Sequence, residues 1–313
     1  MKEPVVFFSA FDGMSALQEA LRQLLPPDQP YVYLSSEIDE DAIKITMKNF
    51  PNTIQLGDIR NITREMIPYN HIHIMGGGSP CQDFSFAGSR KGMTTEEKVI
   101  IKTLDQYLKL KEDGFQFSGS SYLYWEYVRL MVMINPDYFL LENVGMAKKW
   151  IQVITDGFWV SPIRMNSSLV SAQNRDRIYW TNIPGVTPPE DRNILISDIA
   201  HGAVGGCGIR NIYGGNHKPD GTKKYDKPNF TVRKDHKSNT LTCGGNLHKI
   251  KLDNGDIRFL TIEESERLQT FPIGYTNVPG LSISARRCVI GNSWTVDMIV
   301  HILRHLPVFK NII

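Results

Sequence analysis

A cysteine sits in an unusual setting in Gly77-Gly78-Ser79-Pro80-Cys81-Gln82-Asp83-Phe84-Ser85, after an apolar run, two glycines and a proline. The proline stiffens the turn, and a thiol near the N-end of the segment that follows is placed where a thiolate is favoured. A solitary cysteine is by default a small packed hydrophobe; the polar Gln82 and Asp83 argue against that here. A second group lies upstream. Phe8-Ser9-Ala10-Phe11-Asp12-Gly13-Met14-Ser15 reads as a strand, a tight turn at Gly13 and a helix start. That arrangement lets the backbone approach a nucleotide-like cofactor and turns helix N–H groups toward an anionic end. There is no GxGxxG, which counts against NAD or FAD. Glu37 and Asp58 each follow a strand-like run. A carboxylate at the end of a second strand can accept both hydroxyls of a ribose, and another can accept an amino group. Helix capping is the plain alternative for either.

These residues need strand ends to hold them. Val5–Ala10, Tyr31–Ser36, 53–56, 71–75 and 138–141 read as strands, and 15–25, 39–49 and 122–134 as helices. Strands alternating with helices imply βαβ units and a mainly parallel sheet, whose ligands bind at the loops leaving the carboxyl ends of the strands. Residues 186–260 differ, being rich in Gly, Asn, Lys and Pro, with short alternating pieces such as Ile250-Lys251-Leu252. They read as a smaller, irregular, β-containing lobe. Helical periodicity returns over 261–269, with Thr261 as N-cap and Glu264 completing a capping box, and over 296–306, which is expected to pack back on the first lobe.

The 313 residues are 41% hydrophobic and 22% charged, ordinary values for a globular chain. No apolar stretch reaches the ~20 residues of a membrane-spanning helix, and Val5–Ala10 reads as a core strand, so a cytoplasmic protein is expected. The four cysteines, Cys81, Cys207, Cys243 and Cys288, form no CxxC pair and no close His spacing. No metal site is expected, and reduced thiols are. Net charge is +2, but unevenly spread: residues 1–150 carry 15 Lys/Arg against 19 Asp/Glu, and residues 201–260 carry 11 against 5. A basic segment in a near-neutral chain suits phosphate contact, and equally a solvated Lys-rich loop.

Pro80-Cys81-Gln82 with Asp83-Phe84-Ser85 resembles the catalytic motif of the DNA cytosine-C5 methyltransferases. Phe11-Asp12-Gly13, Glu142-Asn143-Val144, Gln173-Asn174-Arg175-Asp176-Arg177, Lys237-Ser238-Asn239-Thr240-Leu241-Thr242 and Gly291-Asn292-Ser293-Trp294 are similar to further motifs of that family, in family order. Six ordered matches make chance coincidence very improbable. The stretches 170–184 and 259–292 also resemble the mammalian de novo enzymes, a likeness shared with compact bacterial and phage members.

The resemblance implies a Rossmann-like S-adenosylmethionine-dependent α/β core over 1–185 plus 285–313, with a target-recognition lobe over 186–284. It implies methyl transfer from S-adenosylmethionine to C5 of cytosine in double-stranded DNA at a short specific sequence; compactness points to a prokaryotic or phage source, and the oligomeric state is open, with a monomer favoured. Cys81, between Pro80 and Gln82, would attack C6, since a covalent bond there makes C5 enamine-like. Glu142 would share a proton with N3 and contact the exocyclic amine. Arg175 and Arg177 would contact the base oxygen and a phosphate and order Glu142; an ordinary surface ion pair is the plain alternative. The target base must leave the duplex. Residues 84–91, Ser85 among them, would fill its place, with Arg90 and Lys91 on phosphates. Phe11 would pack on adenine, Gly13 allow close approach, Glu37 hold the ribose and Asp58 the adenine amine. Ile38 and Ile59 would sandwich the ring, and Asn292, Ser293 and Trp294 line the methionine end. Arg210, Lys223, Lys224, Arg233 and Asn246 are candidates for DNA contact.

The chain departs from that pattern at Met14-Ser15, where many members have another glycine, at Asn239, where proline is common, and over 94–121, an added segment in which 95–111 reads as a helix. An extra DNA contact or a lid is one expectation for this segment, and a tolerated surface insertion the other. Three competing readings are weaker. A tRNA-methylating relative usually carries Cys-Phe-Thr in its target lobe, and none is present. A catalytically silent DNA-binding relative would lack Cys81 or Glu142. A cysteine hydrolase needs a positioned histidine, and His71 and His73 fall in an apolar strand. The target sequence, a companion restriction enzyme and the base that takes the C5 proton are not legible.

Overall fold

The computed structural model describes residues 2–84, 92–210, 229–244 and 248–310. Val5–Ala10 (β1) is buried along its whole length. It is followed by α1 (Ala16–Leu24), β2 (Tyr31–Ser36) and α2 (Glu40–Asn49), which starts where the Asp39 side chain accepts from the N–H groups of Asp41 and Ala42. Next come β3 (Ile54–Gln55) and β4 (Ile74–Gly77). The added segment holds β5 (Thr94–Thr95), α3 (Leu104–Glu112) and β6 (Phe117–Ser118). After it run α4 (Tyr124–Ile134), β7 (Tyr138–Val144), α5 (Lys148–Phe158), β8 (Ile163–Asn166) and β9 (Asp176–Thr181). The second unit contains α6 (Ile196–Ile199), β10 (Ala203–Arg210), β11 (Asn229–Val232), β12 (Lys249–Leu252), β13 (Ile257–Phe259), α7 (Ile262–Leu268) and α8 (Ile283–Asn292). The chain ends on α9 (Val296–Leu303) and α10 (Pro307–Lys310).

The main sheet has the order β3-β2-β1-β4-β7-β9-β8. β3, β2, β1, β4 and β7 are parallel, and β9 pairs antiparallel with both β7 and β8. The expected α/β core with a mainly parallel sheet is therefore present. From β1 the chain crosses to β2 on one side, and from β4 to β7 on the other. The loops leaving β1 and β4 thus diverge, and the crevice between such loops is where open α/β sheets bind ligands.

The chain divides into a unit of residues 1–166, 176–189 and 296–313, and a second of 167–175 and 190–295. α9 packs on α1 in the first unit, as its periodicity suggests. α8 belongs to the second unit, whereas the sequence reading placed 285–313 with the first. The reason is a backbone contact: a Cβ on Gly291 would lie 2.4 Å from the carbonyl carbon of Thr242. We expect Gly291→Ala to destabilise this unit by about 1–3 kcal/mol, the usual scale of overpacking, read from the midpoint of urea unfolding.

The same close approach places Cys288 beside Cys243, and the two form a disulfide with Cα atoms 3.7 Å apart. The expectation of reduced thiols is corrected at this pair. Their 45-residue separation in sequence gave no sign of it. Two boundaries also move. β4 runs into Gly76 and Gly77, which pair with Ser9 and Ala10 on β1 and with Leu140 and Leu141 on β7, and glycine suits Gly77 because a Cβ there would lie 2.6 Å from the Tyr127 ring on α4. α3 begins at Leu104, not near residue 95, because Thr94 and Thr95 pair with Ser118 and Phe117 and the Thr103 side chain caps the helix.

Candidate active site

β1 delivers the Phe11–Ser15 turn. Phe11, Gly13 and Ser15 all have positive φ (53°, 58° and 61°), which costs about 1–3 kcal/mol for a non-glycine residue. Asp12 holds this turn together. Its buried carboxylate accepts from the Tyr33 hydroxyl (2.7 Å), the Ser35 hydroxyl (3.0 Å) and Ser15 Oγ. Burial pushes this carboxyl above its ordinary range, and the hydroxyl donors pull it back. Asp12 was quoted in the sequence motif without a role; the hydroxyls on β2 that give it one are 21 and 23 residues away.

Glu37, just past β2, meets that turn. Its Oε2 accepts from Gly13 N (2.7 Å), and its Oε1 from Ile38 N (2.8 Å) and Asp39 N (2.9 Å). Asp58, after β3, caps a short 3-10 turn (Ile59–Asn61) and is forked by Arg60, which holds its carboxyl below the usual range. Ile38 is 67% exposed, whereas Ile59 is buried in the core. Phe11 is half-buried. Nothing lies within 4 Å of where a Cβ would project from Gly13 or Gly57, so the backbone at both loops faces open space.

The next strand ends carry Cys81 and Glu142. Cys81 is half-buried and is not in a disulfide. Its carbonyl accepts from Phe84 N (3.0 Å), closing a turn, while Pro80 is half-buried and Gln82 exposed. β7 is hydrogen-bonded to β4 and carries Glu142 near its end. Arg177 on β9 forms an ion pair with Glu142, its Nε 2.7 Å from Glu142 Oε1, with both side chains mostly buried. Asn143 Nδ2 donates to Ser79 Oγ (3.0 Å) and Ser79 O (3.3 Å). One amide thereby ties the residue beside Glu142 to the turn that bears Cys81, a positioning role the sequence reading did not assign.

The remaining described residues of the predicted site lie in the second unit. Arg175 is buried and donates to the carbonyls of Leu241 (3.1 Å), Gly291 (3.2 Å) and Ser293 (2.8 Å). These bonds employ its guanidinium as an internal brace, a use different from the expected contact with base or phosphate. Gln173 and Gln269, both fully buried, extend the brace. Gln173 bonds Leu268 O, Gln269 and Leu241 N, and Gln269 bonds Ile290 O, Ser293 O and Thr295. Asn292 is exposed, Ser293 buried and Trp294 half-buried. Arg233 is paired with Asp235. Ser85, Arg90, Lys91, Lys223, Lys224 and Asn246 lie outside the described residues, as does the side chain of Arg210.

His71, His73 and Asp137 form a group at the opposite end of the parallel strands, just before the starts of β4 and β7. His71 Nε2 lies 2.9 Å from both Asp137 oxygens. His73 Nδ1 accepts from Val6 N (3.1 Å), so the single lone pair of its neutral ring is committed to the strand ladder. Burial, and then His71, lower the His73 pKa. The length of β4, about 13 Å, separates both histidines from Cys81, which argues against a Cys–His hydrolase. Among the described residues no helix is long and apolar enough to cross a membrane.

The family described as C-5 cytosine-specific DNA methylase matches residues 5–186 and 196–307. Orphan methyltransferase M.SPRI of Bacillus phage SPR is 29% identical over 178 residues, covering 56% of this chain and 37% of that protein. Type II methyltransferase M.NgoBV of Neisseria gonorrhoeae is 30% identical over 199 residues, covering 57% of this chain and 41% of that protein. The matches thus span well under half the length of these relatives. Among solved structures, the Entamoeba histolytica methyltransferase EhMeth matches over 100% of both chains with a TM-score of 0.62 and 16% identity. The S. pombe Dnmt2 methyltransferase matches over 96% of this chain and 97% of its own, with a TM-score of 0.60 and 14% identity.

Proposed function

The chain belongs to the C-5 cytosine-specific DNA methylase family, and on that premise we propose that it transfers a methyl group from S-adenosylmethionine to C5 of cytosine in double-stranded DNA. The observation that carries this reading is the joined pair of strand ends. Cys81 follows β4, Glu142 lies on the adjacent β7 clasped by Arg177, and Asn143 bonds Ser79. A nucleophile and a carboxyl group on paired strands suit a reaction that adds to one ring atom and manages a proton at another.

In this reading the Cys81 thiolate bonds to C6 of an extruded cytosine. Electron density moves toward N3, where Glu142 supplies a proton. Arg177 fixes the orientation of that carboxyl. After methyl transfer, a base removes the C5 proton, Cys81 leaves C6, and the N3 proton returns to Glu142. S-adenosylmethionine, when bound, supplies the electrophilic methyl group. The first unit suits such a ligand. Glu37 is oriented by three backbone N–H groups, Gly13 and Gly57 face open space, and Ile38 presents exposed apolar surface. Phe11, Glu37, Ile38, Asp58 and Ile59 would hold its adenosine. Asp58 keeps acceptor capacity beside Arg60, since a carboxylate offers about four lone-pair sites. Glu37→Ala is expected to weaken S-adenosylmethionine binding about 10- to 100-fold, the scale of hydrogen bonds to a charged group, measured by calorimetry on folded protein.

Recognition of a short sequence is assigned to the second unit, whose basic residues would contact phosphates. Base-resolution sequencing for 5-methylcytosine in host DNA, after expression of the wild type, tests the proposal. Methylation at one short motif supports it and gives the recognition sequence. Unmethylated DNA, with soluble protein that binds S-adenosylmethionine, would overturn DNA as the substrate.

A further inference from the structure

The added segment 94–121 is bolted to the turn that carries Cys81. Asp83 is buried, and its Oδ2 accepts from Ser120 N (2.9 Å) and Ser121 N (3.1 Å). In return Ser121 Oγ accepts from Asp83 N (3.2 Å), and Ser120 Oγ donates to Gln82 Oε1 (2.9 Å). The Asp83 carbonyl accepts from Gly92 N (2.9 Å), so this residue also joins the two sides of the chain around 85–91. Gly119 makes the approach possible. Its φ is +70°, and a Cβ there would lie 2.2 Å from Asp83 Oδ2.

The other end of the contact is anchored. Phe117 packs between Tyr107 and Tyr122, with ring centroids 5.0 and 4.7 Å away. Glu126 on α4, fully buried, accepts from the Tyr107 hydroxyl (2.5 Å), Lys111 Nζ (2.5 Å) and Arg129 Nε (2.6 Å). Arg129 in turn donates to the carbonyls of Ile59 (2.9 Å) and Ile62 (3.0 Å), beside Asp58. A buried ionic cluster of this kind loses strongly when one partner is removed, so the segment forms a firm footing.

We propose that Asp83 is a positioning residue that acts through Cys81, and that the added segment exists to hold it: the 119–121 backbone clamps the Asp83 carboxylate and thereby fixes the nucleophile's turn. This rests on the reading of Cys81 as the nucleophile. The physical reason is that a near-attack geometry tolerates little wander; a displacement of about 1 Å can cost about 100-fold in rate. The clamp replaces the expectation of an extra DNA contact or a lid with a role inside the first unit.

The test uses the full chain with Asp83→Ala, Asp83→Asn and, as an exposed control on α3, Lys109→Ala. Each is assayed for methyl transfer to duplex DNA at saturating S-adenosylmethionine, and for hydrogen exchange at the Ser120 and Ser121 amides. Asp83→Ala is expected to lower kcat about 100-fold, with KM for S-adenosylmethionine and for duplex within about twofold. Asp83→Asn, whose amide oxygen still accepts from both N–H groups, is expected to recover to within about 10-fold of wild type. Lys109→Ala should behave as wild type. Exchange at both amides should accelerate in Asp83→Ala. A kcat within about threefold of wild type in Asp83→Ala, or a loss expressed in KM alone, would overturn the clamp. If Asp83→Ala does not fold, Asp83→Asn decides: a rate no better than about 1000-fold below wild type, from a folded protein, would overturn it as well. If the wild type itself transfers no methyl group, the cytosine reading falls. Exchange at Ser120 and Ser121 then judges the clamp alone, and protection indifferent to Asp83 would end it.

Discussion

Cys81→Ala is expected to abolish methyl transfer while leaving fold and S-adenosylmethionine affinity intact. The bond that closes the Cys81 turn runs from Phe84 N to the Cys81 carbonyl, and alanine keeps it. The side chain is half-buried, so its loss leaves little unfilled space. Removal of a nucleophile from a covalent mechanism costs on the order of 10^5-fold or more. No other cysteine can replace it. Cys243 and Cys288 are joined to each other. Cys207 is buried on β10, where burial raises its thiol pKa and nearby Lys251 and Lys249 offset only part of that rise. The measurement is single-turnover transfer of a labelled methyl group to duplex DNA, with trapping of enzyme on a 5-fluorocytosine duplex. Wild type should form the adduct and Cys81→Ala should not. Transfer by Cys81→Ala within about tenfold of wild type would place the nucleophile elsewhere and remove the basis of the mechanism.

Much of the first unit was legible because its signals are local. β1 and β2 read directly as apolar runs, and Phe11, Glu37, Asp58 and Cys81 all stand within a few residues of strand ends. The capping box of Thr261 and Glu264 was legible for the same reason and is present in both directions. What could not be read depends on contacts far apart in sequence. β8 alternates over only four residues and β9 (Asp-Arg-Ile-Tyr-Trp-Thr) not at all, yet they complete the sheet, β9 pairing with β7 and β8 with β9. The partition of Arg175 from Arg177 is invisible in a motif where they stand two residues apart. Only the fold turns one onto Glu142 and the other onto the carbonyls of 241, 291 and 293. The added segment shows the same limit. A helix over 95–111 was legible, but the segment's attachment through Glu126 and Asp83 depends on buried partners 15 and 37 residues away.

Glu142→Gln should separate the proton-handling role proposed for this carboxyl from its part in the fold. In the first unit Glu142 and Arg177 form a mostly buried pair at 2.7 Å. Glu142→Ala would leave the guanidinium without its carboxylate, a change worth about 3–5 kcal/mol of destabilisation. A lost activity in that variant would therefore be ambiguous. Glutamine fills the same space and keeps an amide oxygen beside the Arg177 guanidinium. It cannot supply the proton that, in the proposed mechanism, N3 takes when Cys81 adds to C6. General acid–base groups contribute about 10^2- to 10^4-fold, so kcat should fall by that amount. S-adenosylmethionine affinity and the midpoint of urea unfolding should stay near wild type. The 5-fluorocytosine adduct should form slowly, because the addition step itself needs the proton. A Glu142→Gln variant that reaches wild-type kcat would assign the carboxyl a purely structural role and leave N3 to be protonated by another group. Slow turnover with a normal rate of adduct formation would instead move Glu142 to a later step, after C5 has received its methyl group.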